Sequence, residues 1–261
     1  MNLHPDWLSR AFATERAGDW AGRAGPDSVL EFGAMAPIHL LLASNSPRRR
    51  ELLGLTGWEF RTRPAEIDET PLPGEEPGAY VRRLAEGKAR AAGSLALAGE
   101  IVLGADTTVA DGSLILGKPA DAAEAAEMLR RLRGREHRVF TAVALYDPRG
   151  GRLISDLCAT RVPMRAYTDE EIQRYVASGD PLDKAGAYAI QHPEFHPVTV
   201  LRGCFASVMG LPLCHVQRLL VRLGLEPQRD MPKAEVPAAC QAGLQYDCSI
   251  FPAVLRGEDV G

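Results

Sequence analysis

Blocks of apolar and polar positions alternate through the middle of the chain and predict strands and helices in turn. The stretches 38–43 and 101–106 are almost continuously apolar, which is typical of strands buried on both faces. Between them, residues 77–97 carry an apolar stripe with the spacing of an amphipathic helix. The same criteria predict strands at 59–64, 107–116 (a hairpin), 137–146, 152–166 and 198–208 (one or two strands), and helices at 47–55, 121–134, 168–179 and 211–223.

Short polar motifs mark the ends of several of these elements. The dipeptide Asp111-Gly112 predicts a hairpin turn. Asp121 with Glu124, and Thr168 with Glu171, have the spacing of capping boxes at helix N-termini. Because strands alternate with helices while hairpins are mixed in, we expect an α/β fold with a mixed twisted sheet flanked by helices.

The regular pattern stops at both ends of the chain. Residues 1–37 are weakly patterned, and Trp7 and Phe12 lie on one face of a predicted short helix before glycines and prolines interrupt it. Residues 226–261 contain four prolines and little periodicity. We therefore predict an N-terminal extension in 1–37, one α/β domain in 38–225, and a C-terminal tail in 226–261 that is irregular and either packed on the core or mobile.

The composition narrows the function classes. The 261 residues carry a formal net charge of −4, so no global basic field attracts the chain to nucleic acid or to anionic membranes. The longest apolar runs are too short to span a bilayer, and the first residues lack the basic and apolar regions of a secretion signal. The five cysteines are an odd number without a CxxC pair, which argues against a disulfide framework or a common zinc site and favours a reducing cytoplasm.

The first candidate binding motif is Ser44-Asn45-Ser46-Pro47-Arg48-Arg49-Arg50-Glu51, which follows a predicted buried strand and opens a predicted helix. Arginines in a first helical turn oppose the helix dipole, and a bound anion would relieve this conflict. Free backbone N–H groups, the dipole and the guanidinium groups would all favour a phosphate. The motif alone is equally typical of a solvated arginine cluster at a helix start.

Two further side chains are candidates for chemistry. Asp106 ends an apolar run, where α/β proteins place ligand sites, and a carboxylate there can bind a divalent ion or polarise a water. A turn aspartate that hydrogen-bonds the nearby backbone is the more common explanation of such a residue taken alone. Lys88 lies on the apolar stripe, seven residues after Val81 and four after Leu84, so it either meets an anion or extends to water.

Several short segments, some of which contain these candidates, follow one another along the chain. The segments are LASNSPRRRELL at 42–53, IDE at 67–69, RLA at 83–85 with KA at 88–89, GADT at 104–107, GKP at 117–119, DKAGAY at 183–188 with IQ at 190–191, and GLPL at 210–213. With these segments, residues 38–223 resemble the Maf family of nucleoside triphosphate pyrophosphatases. The regions before and after lie outside the resemblance.

The resemblance implies two lobes around a nucleotide cleft, of the Maf/inosine triphosphatase type. It also implies hydrolysis of a nucleoside triphosphate between its α- and β-phosphates, with a divalent Mg²⁺ or Mn²⁺ ion, to a nucleoside monophosphate and pyrophosphate. The implied catalytic residues are Asp106 (the proton acceptor), Lys88, Lys118 and Glu69. The implied substrate-binding residues are Ser44, Arg48, Arg49, Thr107 and Gln191. For the metal, the carboxylates of Asp106 and Glu69 are the expected ligands, since hard divalent ions take oxygen ligands; three roles stay open for Asp106, as metal ligand, as base, or as both.

The resemblance also indicates which nucleobase the substrate carries. One subgroup of the family prefers dTTP and UTP and carries arginine, threonine and glutamine where the 7-methyl-GTP subgroup carries a bulky aromatic, glutamine and glutamate. This sequence has Arg48, Thr107 and Gln191 and so resembles the dTTP/UTP subgroup. A glutamine amide can pair with the imide edge of thymine or uracil. The family's usual glycine after this glutamine is replaced here by His192-Pro193, which is expected to stiffen and enlarge the loop beside the base pocket.

Alternatives stay open at this point. One is a 7-methyl-GTP-type or broad-specificity pyrophosphatase of the same family, and another is a catalytically weak, nucleotide-binding regulator of cell division. A nucleic-acid-binding module on residues 46–50 is disfavoured by the net charge and by the lack of a basic stripe with interleaved aromatics. We expect a nucleoside triphosphate as the partner, no nucleic acid or membrane, and a cytoplasmic location, while a homodimer stays open.

Overall fold

The computed structural model describes residues 39–225, 235–258 and 260. The strands in these residues are β1 (Leu40–Leu42), β2 (Phe60–Thr62), β3 (Ile101–Asp111), β4 (Leu114–Leu116), β5 (Glu136–Asp147) and β6 (Arg152–Pro163). They form one sheet in the order β2-β1-β3-β5-β6, with β4 paired to β3. β1 pairs in parallel with β2 and β3, whereas the other pairs are antiparallel. The prediction of an α/β fold with a mixed sheet is confirmed.

Helices cover both faces of this sheet. The α-helices in the described residues are α1 (Pro47–Gly54), α2 (Pro77–Ala92), α3 (Ala122–Leu132), α4 (Asp169–Ala177), α5 (Phe205–Met209), α6 (Leu213–Arg222), α7 (Val236–Leu244) and α8 (Phe251–Leu255). α2 lies across β3 and β5 on one face, and α5 and α6 pack on the other. None of the described helices has the length and apolar character needed to cross a membrane.

The apolar runs are continuous because both faces of the central strands are covered. Leu40 and Leu42 pack in the cluster beneath α6, whereas Leu41 between them packs in the cluster beneath α2. Leu103 and Val102 of β3 divide between the two clusters in the same way. Side chains alternate across a strand, so a strand buried on both faces needs apolar residues at every position.

A third apolar cluster lies at the far end of the three long strands. Val109, Val139 and Val162 from β3, β5 and β6 pack there against α3 and α4. The same strands therefore run through two lobes with separate cores. The middle of β3, where polar residues interrupt the apolar pattern, lies between these lobes.

The helix N-termini test the predicted capping boxes. At α4, the Thr168 side chain accepts a hydrogen bond from the Glu171 backbone and the Glu171 carboxylate accepts one from the Thr168 backbone, as predicted. At α3, Asp121 accepts from the Glu124 backbone N–H at 2.9 Å, so the helix start is correct. The second half of that box is wrong, because the Glu124 carboxylate accepts from the Ala120 N–H instead.

The predicted strand at 198–208 is wrong. Only Val198 makes a β-bridge, to Met164, and the later residues form α5. Gly203 and Gly210 adopt positive φ angles of 144° and 116° on either side of this helix, which ends any strand. Several of the apolar residues that suggested a strand pack around this short helix or against the neighbouring cores instead.

The described part of the C-terminal tail contains two helices and is not irregular. Val236 of α7 and Val254 of α8 are both buried, and Val236 joins the core cluster beneath α6. Arg218 forms two 2.7 Å hydrogen bonds with Asp156 and also donates to the carbonyl oxygens of Val254 and Glu258. Of the two predicted tail arrangements, the described part is therefore packed on the core. The predicted N-terminal helix lies outside the described residues.

Candidate active site

A cleft of about 700 Å³ opens beside the middle of β3. Its walls come from the β1–α1 turn, the loop before α2, α2 itself, β3, the hairpin that follows, and the segment after α4. The cleft brings together all nine side chains assigned by the resemblance, namely Ser44, Arg48, Arg49, Glu69, Lys88, Asp106, Thr107, Lys118 and Gln191. Their individual roles stay predictions.

Asp106 forms the buried acidic centre of this cleft. Its Oδ1 accepts a 2.6 Å hydrogen bond from Lys88 Nζ, and the same ammonium lies 2.7 Å from Glu69 Oε1. Asp106 is 7% exposed, whereas the Glu69 side chain is 57% exposed. Burial raises the pKa of the Asp106 carboxyl above its usual value, even though the positive charges of Lys88 and Arg49 oppose the rise. The alternative that Lys88 extends to water is therefore excluded.

The position of Asp106 differs from the predicted one. β3 does not end at residue 106 but continues to Asp111, because its pairing with β5 runs on through Ala110 and Arg138. Asp106 thus lies within a paired strand, and the alternative of a turn aspartate is wrong. A backbone held on a central strand fixes a side chain more firmly than a turn does.

Lys88 reaches Asp106 because residue 104 is a glycine. A Cβ atom there would lie 2.2 Å from the Ala85 carbonyl oxygen and 2.8 Å from the Ala89 nitrogen. The missing side chain lets the backbone of α2 rest directly on β3. Gly104 is two residues before Asp106, on the same face of the strand, so the close approach sets the ion pair.

Arg49 ties three walls of the cleft together. Its Nε donates to the Gly210 carbonyl oxygen at 3.0 Å, its Nη1 to Ser44 Oγ at 3.4 Å and its Nη2 to Thr107 Oγ1 at 3.3 Å. Burial lowers the pKa of this guanidinium, while the negative charge of Asp106 raises it. An arginine stays protonated in proteins, so Arg49 supplies a fixed, half-buried cation.

The hydroxyl of Thr107 has a defined orientation. Thr141, its partner in the β3–β5 register, is buried, and its Oγ1 lies 2.8 Å from the Ser207 carbonyl oxygen and 3.0 Å from Thr107 Oγ1. A carbonyl oxygen only accepts, so Thr141 donates to it, and the Thr107 hydroxyl then donates to Thr141. With Arg49 donating to the same oxygen, Thr107 keeps one lone pair and can only accept from a ligand.

The start of α1 forms the cationic side of the cleft. Ser46 caps the helix by accepting from the Arg49 N–H, and its own N–H donates to Ser44 Oγ. Arg48 points into the cleft and pairs weakly with Asp183 at 3.4 Å, whereas Arg50 does not line it. Lys118, across the cleft, has no ion-pair partner among the described residues. These contacts favour the anion-binding interpretation over a solvated cluster.

Comparison with protein families adds to this geometry. The family model described as "Maf-like protein" matches residues 39–223, which include every one of the nine cleft residues. The chain belongs to the Maf family. The matched range covers β1 to the end of α6 and leaves the tail helices α7 and α8 outside.

Similar curated Maf proteins share one description. A "dTTP/UTP pyrophosphatase" of Geobacter sp. (strain M21) is 50% identical over 71% of this chain and 95% of its own length. Proteins with the same description from Dechloromonas aromatica (strain RCB) and Thermomicrobium roseum are 47% and 46% identical over 73% and 82% of this chain, and over 100% and 94% of theirs. A solved dITP/XTP pyrophosphatase structure from Mycobacterium abscessus covers 71% of this chain and 94% of its own, at 20% identity and a TM-score of 0.36, which is too low to carry an argument.

The Maf cleft has a donor set that fits a divalent ion shared with a substrate. Asp106 and Glu69 lie close together, since both contact the Lys88 ammonium, which occupies the point between them. Across the described parts of the chain, no group of three or more His, Cys, Asp or Glu side chains has metal-binding geometry. Mg²⁺ typically takes one or two protein carboxylates and completes its shell with water and substrate phosphates. A pair of carboxylates beside a phosphate-sized cationic cleft matches that pattern.

Two functional features of the Maf cleft were missed by sequence reasoning. Lys184 lines the cleft, but its three ammonium protons go to the Asp180 carbonyl oxygen, Asp180 Oδ1 and Asp183 Oδ1, at 2.6 to 2.8 Å. Because its donors are used, Lys184 organises the cleft wall, unlike Lys118. Thr141 acts through Thr107, and only the strand register could have revealed it.

Proposed function

We propose that this Maf protein hydrolyses dTTP and UTP to the nucleoside monophosphate and pyrophosphate. The observation that carries the proposal is a buried carboxylate of raised pKa, Asp106, held against Lys88 in a cleft edged by arginines. The shared description of relatives at 46–50% identity supports the same activity.

In this proposal Asp106 accepts the proton of the attacking water. A carboxylate whose pKa is raised by burial is a stronger base than a solvated one. Lys88 donates to Oδ1 and so orients the carboxylate, which leaves Oδ2 for the water proton or for the divalent ion. The new bond forms between the water oxygen and the α-phosphorus, and pyrophosphate leaves with the electrons of the broken bond.

The cations of the cleft stabilise the charge that develops on the phosphates. Arg48 at the start of α1 and Lys118 on the opposite wall would contact phosphate oxygens, while half-buried Arg49 adds a fixed positive charge. A substrate phosphate would displace Asp183 from its weak, partly exposed contact with Arg48. The side chains therefore favour a polyphosphate over a monoanion.

A Mg²⁺ or Mn²⁺ ion belongs to the proposal as a cofactor. Asp106 and Glu69 would hold it together with the substrate phosphates. When bound, such an ion neutralises phosphate charge and assists departure of the leaving group. Of the two carboxylates, Glu69 is the exposed one and lies in the loop before α2.

Base selectivity in the proposal draws on the subgroup residues Arg48, Thr107 and Gln191, of which Thr107 and Gln191 would contact the base while Arg48 contacts phosphate. The imide edge of uracil or thymine presents one N–H donor between two carbonyl acceptors. Thr107, restricted to accepting, suits the donor, and the Gln191 amide offers both a donor and an acceptor. A purine edge would leave some of these groups unpaired, which costs affinity.

Lys118→Ala is expected to lower kcat/KM for UTP by about 10- to 100-fold, the cost of one charged hydrogen bond to the transition state. Lys118 is exposed and has no ion-pair partner in the described part of the chain, so the melting temperature should shift by no more than about 2 °C. The matched control is Arg161→Ala, which removes an exposed cation outside the cleft and should leave activity unchanged. Lost stability with unchanged activity would assign Lys118 a structural role.

The proposal is tested by measuring pyrophosphate and UMP release from UTP with Mg²⁺. The regulator alternative predicts nucleotide binding without release of pyrophosphate.

A cytoplasmic location is part of the proposal, since none of the five cysteines, all of them in described residues, is in a disulfide.

A further inference from the structure

Tyr175 of α4 holds the backbone that leads to Gln191. Its hydroxyl accepts a 2.9 Å hydrogen bond from the Ala189 backbone N–H and donates a 2.7 Å hydrogen bond to Asp180 Oδ2. Tyr175 and Ala189 are 3% and 6% exposed, so water does not compete for this contact. Gln191, the proposed base-reading residue, follows two residues later in the cleft wall.

The direction of these hydrogen bonds is imposed by Asp180. Burial favours its protonated form, but hydrogen bonds from Lys184 and Tyr175 outweigh burial and lower its pKa. An ionised carboxylate only accepts, so the Tyr175 proton must point to it, which leaves a lone pair for Ala189. Lys184 also contacts Asp183, and Asp183 contacts Arg48 across the cleft, so one polar chain joins the phosphate side to the base side.

The ring of Tyr175 is fixed independently of its hydroxyl. It stacks on Phe195 with centroids 4.3 Å apart, and the edge of His192 approaches it at 4.7 Å. His192 Nδ1 accepts hydrogen bonds from the N–H groups of Glu194 and Phe195, which closes the turn after Gln191. Half-buried His192 thus packs against the Tyr175 ring and closes the turn, while Pro193 beside it is exposed.

We propose that Tyr175 is a positioning residue for nucleobase selectivity, acting through the Ala189 N–H to hold the Gln191 amide at the base edge. This inference rests on the proposed function for the identity of the ligand. The geometry itself stands on contacts among the described residues. A segment tied on one side by Tyr175 and on the other by the His192 turn loses the freedom to meet the wrong base.

The test replaces only the hydroxyl, with Tyr175→Phe. Its matched control is Tyr167→Phe. Tyr167 is 1% exposed, packs on the same Phe195 at 4.8 Å, and donates one 2.7 Å hydrogen bond to the Leu129 carbonyl oxygen, away from the cleft. Tyr167→Phe thus loses one hydrogen bond and Tyr175→Phe loses two, in the same apolar cluster, and only Tyr175→Phe touches the base-side segment.

Two measurements are compared. The first is kcat/KM for UTP divided by kcat/KM for ATP, because these substrates share ribose and triphosphate and differ only in the base. We expect Tyr175→Phe to lower this ratio about three- to tenfold, the worth of one hydrogen bond, and Tyr167→Phe to leave it unchanged. The second is hydrogen exchange of the 189–191 amides, which should rise in Tyr175→Phe alone.

The outcomes separate the inference from the proposed function. If wild-type protein releases no pyrophosphate from UTP, the proposed function fails while amide exchange still tests the positioning contact. If the wild type is active and Tyr175→Phe keeps its base selectivity, or both variants lose it equally, the inference is overturned. Should Tyr175→Phe fold poorly, Asp180→Ala, which removes the acceptor that orients the hydroxyl, must lower the ratio in the same direction for the inference to stand.

Discussion

Asp106→Asn lowers pyrophosphate release by about 10³-fold, at the centre of the range for loss of a general base. The amide keeps the shape of the carboxylate and can still accept from Lys88, but it is neither a useful base nor a strong ligand for a divalent ion. A steady-state assay with UTP measures the loss. The matched control is Asp111→Asn, the same change on the same strand outside the cleft, which should keep wild-type activity.

The same substitution leaves the protein folded, and the raised pKa of Asp106 gives the direction of its effect on stability. Burial raises the folded-state pKa of Asp106, so the native state binds this proton more tightly than the unfolded state does. Stability from this group therefore falls as pH rises from the ordinary aspartate value through the raised one. Asp106→Asn removes that fall, so its melting temperature at neutral pH should equal or exceed the wild-type value. Activity within a few-fold of wild type would remove Asp106 from the mechanism.

Gly104→Ala destabilises the fold by about 3 kcal/mol or more, beyond the usual cost of overpacking, because the added methyl group meets backbone rather than a flexible side chain. Its carbon would lie 2.2 Å from the Ala85 carbonyl oxygen. α2 must then move off β3, which carries Lys88 away from Asp106. Activity in any folded fraction is expected to fall as well.

Denaturant unfolding measures this cost. The control is Gly54→Ala, at the end of α1, where an added Cβ meets nothing within 4 Å, so stability should be unchanged or slightly higher. A Gly104→Ala protein with wild-type stability and activity would show that close approach of α2 does not set the ion pair.

Some elements were predictable from the sequence because either uniform burial or contacts between near neighbours left a signal along the chain. The run at 101–106 fits a strand covered on both faces, and the spacing of Thr168 and Glu171 specified a helix start through contacts only three residues apart. The failure at 198–208 has the opposite cause. Those residues are apolar because they fill the space around α5, and a Gly203 Cβ would lie only 2.9 Å from Thr160. Tertiary packing overrode local preference there.

The cleft residues were predictable only where a motif carried them. Arg48, Lys88 and Asp106 lie in short motifs that stood out locally, and the family resemblance then implied a role for each. Thr141 and Tyr175 carry no local signal, because the role proposed for each depends on a hydrogen bond to a distant segment, Thr107 in one case and Ala189 in the other. Pattern and spacing describe neighbours in sequence, whereas these roles exist only in the folded arrangement.

A comparison of nucleoside triphosphates tests the central claim most directly. Purified protein with Mg²⁺ or Mn²⁺ is offered dTTP, UTP, ATP, GTP and 7-methyl-GTP, and both products are identified. The account predicts pyrophosphate and monophosphate, with dTTP and UTP preferred by about tenfold or more, since a base that leaves buried polar groups unpaired costs about 1–3 kcal/mol. Release of orthophosphate would contradict the proposed bond of cleavage, and equal rates on purine and pyrimidine nucleotides would contradict the roles given to Arg48, Thr107 and Gln191.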